Sequence, residues 1–142
     1  MNRSSRIKSY LLCSGMNLLK KLQAIKSQIA KEAQIVIDDW EQDDDGFDEE
    51  LGSGGMCDKV ADTITAVIGR IIPEVEFTDG GHEGDDHAFI IVYDDLEAYA
   101  VDIPPGVYEI GSGYSWKKIQ GVEITPQDIV ITRVDRELVV DW

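Results

Sequence analysis

Three residues in this 142-residue chain have the types and spacing to act together on a carbonyl: Cys57, His87 and Asp102. Cys57 follows Gly54, Gly55 and Met56 and stands where an apolar helical pattern begins. In the first turn of a helix the backbone N–H groups have no intrahelical acceptor and the dipole is positive. Both effects favour the thiolate, the nucleophilic form of cysteine, and the same N–H groups can receive an oxyanion developing on an attacked carbonyl. The flanking glycines let a substrate backbone approach closely. Cys57 is also in phase with Val60 and Ile64, so the spacing equally suits a small buried apolar side chain.

His87 opens the apolar run HAFIIVY at 87–93, and Asp102 ends LEAYAVD at 96–102. A tight turn at Asp94-Asp95 pairs Tyr93 with Leu96, Ile90 with Tyr99 and His87 with Asp102. Directly opposed residues on an antiparallel ladder share a face, with Cβ atoms about 5 Å apart. A carboxylate beside an imidazole fixes its tautomer and stabilises the imidazolium, leaving the other ring nitrogen to take a proton from a thiol. The register depends on the turn: a bulge or three-residue loop moves it by one and breaks the juxtaposition. A solvated His–Asp contact at a sheet end is the plain structural alternative.

The elements that must hold these residues follow from periodicity. Leu18, Leu22, Ile25, Ile29 and Val36 recur at helical spacing across 17–39. An acidic, glycine-containing connector, EQDDDGFDEELGSG, spans 41–54. Val60, Ile64, Val67, Ile68 and Ile71 make one face of a second helix over 57–71, which Pro73 stops. Strands are expected at 74–78, 87–93, 96–102, 107–110, 116–119, 128–134 and 137–141, the last two as a hairpin turning at Asp135-Arg136. Helices first and an antiparallel sheet after them define an α+β domain, N-terminal helices packed on the sheet. Met16 opens the first helical pattern, so residues 16–142 read as the single domain and 1–15 as a disordered extension outside it.

A helix-start cysteine, a histidine opening a central strand and an aspartate ending the next strand, in that chain order over about 53–140, resemble the papain-like superfamily in its broad sense. That superfamily includes the NlpC/P60-type amidase-peptidases and the transglutaminase-like proteins. The resemblance implies a papain-like core, with Cys57 as nucleophile, His87 as general base and acid, and Asp102 as orienter. The implied activity is acyl transfer from an amide, peptide or isopeptide bond. The sequence Gly54-Gly55-Met56-Cys57-Asp58 is not the papain-type cysteine signature, and Gln42 lies upstream in the connector rather than at an assured oxyanion position.

A net charge of −15 argues against nucleic acid, which needs a basic footprint, and against anionic membrane surfaces. It would attract a basic peptide or amide substrate or, alternatively, the basic partner of a non-enzymatic acidic binding protein built on the same fold. No run is long and apolar enough to cross a membrane. Two cysteines, Cys13 and Cys57, do not make a disulfide framework, which suits a reducing, cytoplasmic setting. Glu41, Asp43 and Asp45 mimic the start of a calcium loop, but its closing glutamate position is Gly52. Cys57, His82, His87 and Asp102 include zinc-ligand types without paired ligand spacing. No metal or cofactor is expected. Tyr108, Tyr114 and Trp116 follow Asp102 after a loop stiffened by Pro104 and Pro105, either lining a groove or filling the core.

Overall fold

The computed structural model describes residues 17–40, 47–48, 52–53, 56–80, 89–112 and 115–140. His87, His82, Cys13, Gln42, residues 1–15 and the acidic positions Glu41, Asp43 and Asp45 lie outside the described residues. So do Gly54, Gly55 and Tyr114.

The first helical pattern forms two helices, α1 (Leu18–Ala24) and α2 (Lys26–Asp39), interrupted for one residue at Ile25. The Asn17 side chain accepts from Lys20 N, and Glu97 from the sheet accepts Leu18 N at 3.2 Å, so the first N–H groups of α1 are met by side chains. The interruption keeps the apolar phase: Leu18, Leu22, Ile25 and Ile29 are all buried. Short strands β1 (Phe47–Asp48) and β2 (Gly52–Ser53) pair in the connector. Helix α3 (Met56–Ile71) follows, with Val60, Ile64, Val67 and Ile68 buried, Asp58 in its first turn and Arg70 in its last. That placement of charge complements the helix dipole. Arg70 also pairs with Glu32 of α2 and holds that carboxyl below its usual range, an exposed contact that contributes little stability.

The remaining chain builds an antiparallel sheet of order β3-β4-β5-β8, from β3 (Glu76–Asp79), β4 (Ile90–Tyr93), β5 (Ala98–Asp102) and β8 (Val130–Val134). A separate ribbon pairs β6 (Glu109–Ser112) with β7 (Ser115–Lys118). Ile90 and Val92 alternate with less buried neighbours and join Tyr99, Val101 and Ile103 in one apolar core with α1, α2 and α3. The fold is therefore mixed α+β, with an antiparallel sheet. No helix among the described residues is long and apolar enough to cross a membrane.

Lys118, at the end of β7, fixes the ribbon to the helices. Its ammonium donates to the carbonyls of Ile37 at 2.7 Å, Asp38 at 3.2 Å and Trp40 at 3.1 Å, at the C-terminus of α2. Ile37 O also accepts the Trp40 N–H at 3.2 Å, and a cation beside these terminal carbonyls is favoured by the dipole. Gln34 of α2 binds the next segment through both ends of its amide, donating to Val122 O and accepting Ile124 N.

The expected C-terminal hairpin is corrected. Residues 136–140 form helix α4 (Arg136–Val140), not a strand. Asp135 accepts Glu137 N on its carboxylate at 3.0 Å and Val139 N on its carbonyl at 3.3 Å. This capping turns the chain out of β8, while Arg136 Nε donates to Asp94 O. The apolar Leu138-Val139-Val140 run has the composition of a strand, but the Asp135 cap starts a helix there.

Candidate active site

Cys57 lies in the first turn of the 16-residue α3, as its position before the apolar face predicts. Met56 beside it is fully enclosed, whereas Cys57 is a buried thiol that keeps 6% of its surface exposed. The N–H groups of a first helical turn have no intrahelical acceptors.

The hairpin that carries Asp102 differs from the expected one. Asp94 accepts Leu96 N and Glu97 N on Oδ1, both at 2.8 Å, and its own N–H donates to Glu97 O at 3.0 Å. The side chain thus builds a loop over residues 94–97, and Tyr93 pairs with Ala98 instead of Leu96. Ile90 accordingly faces Val101, not Tyr99, and the direct His87–Asp102 opposition is corrected to a register moved by two. A shift of two preserves which residues share a face, because side chains alternate with period two. Extending the ladder by one step sets Asp102 opposite Phe89, two residues after His87. Gly80 N donates to Phe89 O at 2.9 Å, so the main chain at 89 still runs beside the end of β3. Asp102 itself pairs with Val130 of β8 and is half-buried between the fully buried Val101 and Ile103 at the rim of the sheet.

Tyr108 belongs to the same core as α3 and β5. A 3-10 turn (Pro105–Val107) folds the chain back after Asp102, and Tyr108 closes it by donating its N–H to Pro105 O. Its carbonyl accepts Ile119 N at 2.8 Å, and its ring is fully buried in the core. The phenol hydroxyl is buried with no hydrogen-bond partner among the described residues. Burial pushes its ionisation far above the ordinary tyrosine range, and the charges of Glu109, Cys57, Asp102 and Asp58 push it further the same way.

Glu109 adds to this neighbourhood and was not singled out by sequence reasoning. It is 5% exposed, while the next residue on the same ribbon strand, Ile110, is 68% exposed. Apolar-in, polar-out patterning is inverted at this pair, which is uncommon away from functional sites. Nothing in the sequence marks Glu109 or the buried hydroxyl, because both depend on where the turn after Asp102 folds the chain.

His87 lies outside the described residues. Among the described residues no group of three or more His, Cys, Asp or Glu side chains could hold a metal ion. A surface depression of about 660 Å³ lined by Leu96, Glu97, Arg133 and Arg136 lies at the opposite end of β5 from Asp102. It belongs to the loop-94–97 end of the sheet and not to this site. No family model, curated protein or solved structure matches the chain.

Proposed function

We propose that the chain is a cysteine hydrolase with a papain-like core, acting by acyl transfer on an amide, peptide or isopeptide bond. The observation that supports this reading is the position of Cys57 in the first turn of α3, a helix that packs in one core with β5, the strand that Asp102 ends. His87 would serve as the general base and acid of the set. It stands three residues before Ile90, and three residues span at most roughly 11 Å. Ile90 pairs with Val101, the neighbour of Asp102.

In this mechanism the Cys57 thiolate attacks the carbonyl carbon and the C=O pair moves to oxygen. His87, oriented by Asp102, protonates the leaving amine as the tetrahedral species collapses. Water, deprotonated by His87, then releases the acyl group from sulfur. The net charge of −15 steers basic peptide segments toward the protein. A reducing compartment such as the cytoplasm keeps the nucleophile as a thiol.

The burial of Cys57 favours a second reading, an acidic binding protein in which the sulfur is only core. A library of lysine-rich peptides, read by mass spectrometry, separates the two. The hydrolase cleaves members of the library, and cleavage disappears in both Cys57→Ala and His87→Ala. Binding without cleavage, together with no covalent acylation of Cys57 by p-nitrophenyl acetate, sinks the enzyme reading.

A further inference from the structure

We propose that the outer edge of β8 is a self-docking surface, on which a second copy of this chain pairs antiparallel through its own β8 and joins the two four-stranded sheets into one. β8 (Val130–Val134) ends the order β3-β4-β5-β8 and pairs along one side only, with β5. Among the described residues, no backbone group of 130–134 bonds to any element other than β5. Such an edge offers a row of N–H and C=O groups to another strand.

Native edges are commonly blunted by charge, proline or a bulge. The opposite edge strand, β3, carries Glu76 and Asp79 at its two ends, and an antiparallel copy would set these acids against each other. β8 has no such guard. Its sequence is Val-Ile-Thr-Arg-Val, four of the five residues β-branched, and its register with β5 runs without a bulge. Val130 is 43% exposed, and Thr132 and Arg133 are exposed as well. Two more exposed apolar side chains border the strand. Leu138 lies on α4, which follows β8, and Leu96 lines the depression that Arg133 and Val134 also line.

Charge and symmetry select the occupant. At −15 overall, two copies repel each other. Residues 128–136, by contrast, are balanced: Asp128 and Asp135 are offset by Arg133 and Arg136. A two-fold axis at Thr132 sets Val130 against the second copy's Val134, and Thr132 against its own counterpart, apolar on apolar and hydroxyl on hydroxyl. The same axis carries Asp128 towards the second copy's Arg136. Arg136 donates through Nε to Asp94 O, and its terminal N–H groups make no hydrogen bond among the described residues. A strongly acidic or basic strand gains nothing from a balanced edge, whereas a second copy brings the same charges in reverse order. Five residues per copy make a small interface, so the association is weak and reversible. Salt should tighten it, because screening removes the net repulsion and leaves the strand pairing.

The test uses the full chain with Cys13→Ser, which excludes a disulfide-linked dimer through that residue. Sedimentation velocity and backbone hydrogen exchange are followed from about 1 μM to about 300 μM. The wild type should pass from one to two chain masses, with protection of the amides at 130–134 rising in step. Thr132→Asp and Thr132→Lys each place like charges on the axis, and each should weaken self-association at least about 10-fold with the circular dichroism unchanged. An equimolar mixture of the two variants places opposite charges there and should restore association. A wild type that stays monomeric overturns the proposal, and so does a dimer whose amides at 130–134 gain no protection. A dimer that both variants leave intact, or a mixture that stays monomeric, overturns it too. If either variant unfolds, the wild-type exchange data decide alone.

Discussion

Removing the single oxygen of Tyr108 should change how the protein responds to alkali. In the folded chain the phenol is fully buried, and both burial and the nearby acids raise its ionisation far above the ordinary range. In the unfolded chain it titrates near 10, as an unperturbed tyrosine does. The sign follows from proton counting. Above about pH 10 the unfolded state has lost a proton that the folded state retains, so the unfolded state binds fewer protons and stability falls as pH rises. The contribution is fully present below about pH 10 and is lost progressively toward the folded value. For one group the limiting slope is about 1.4 kcal/mol per pH unit. The wild type should therefore have lost about 0.4 kcal/mol from this group at about pH 10 and about 1.4 kcal/mol at about pH 11. Urea unfolding followed by circular dichroism, at steps from about pH 8 to about pH 11, measures the effect as a difference between wild type and Tyr108→Phe. That difference cancels the other tyrosines and the lysines, which both proteins share. The variant should match or exceed the wild type at about pH 8, and its advantage should grow by about 1.4 kcal/mol by about pH 11. A difference that stays constant across the range would refute the buried, proton-retaining phenol.

Other positions make independent predictions. Lys118→Met removes three charge-assisted hydrogen bonds from the end of α2 and should cost about 2–3 kcal/mol, read as a lower urea midpoint with an unchanged slope. Ile64→Ala empties a fully buried site on α3 and should cost about 2–5 kcal/mol by the same assay. A Cβ at Gly80 would lie 2.1 Å from Phe89 Cε2, so Gly80→Ala must displace that ring and should cost about 1–3 kcal/mol. A neutral Gly80→Ala would mean that the ring swings aside without loss.

The α+β class was legible because the strongest signals are local. Val60, Ile64, Val67 and Ile68 face one way at helical spacing and fall in the core as α3. The position of Cys57 in the first turn follows from the same periodicity. The hairpin register was not legible, since it depends on the Asp94 carboxylate capping Leu96 and Glu97 and so lengthening the loop. Alternation alone cannot distinguish registers that differ by two. The C-terminal helix was misread because Leu138-Val139-Val140 has the composition of a strand, while the deciding cap lies in the side chain of Asp135. The burial of Tyr108 was hidden for a different reason. Aromatic residues fill cores and line sites alike, and only the folded turn after Asp102 carries this ring into the core.

The most direct test of the proposed chemistry is the rate at which iodoacetamide alkylates Cys57 as pH varies, in a Cys13→Ser background with and without His87→Ala. An activated thiolate–imidazolium pair gives rapid alkylation well below the free-thiol range near 8.5 and a collapse of that rate when His87 is removed. A rate that rises like an ordinary thiol in both proteins, or no labelling until the chain unfolds, would contradict the account and leave Cys57 as a core residue of an acidic binding protein.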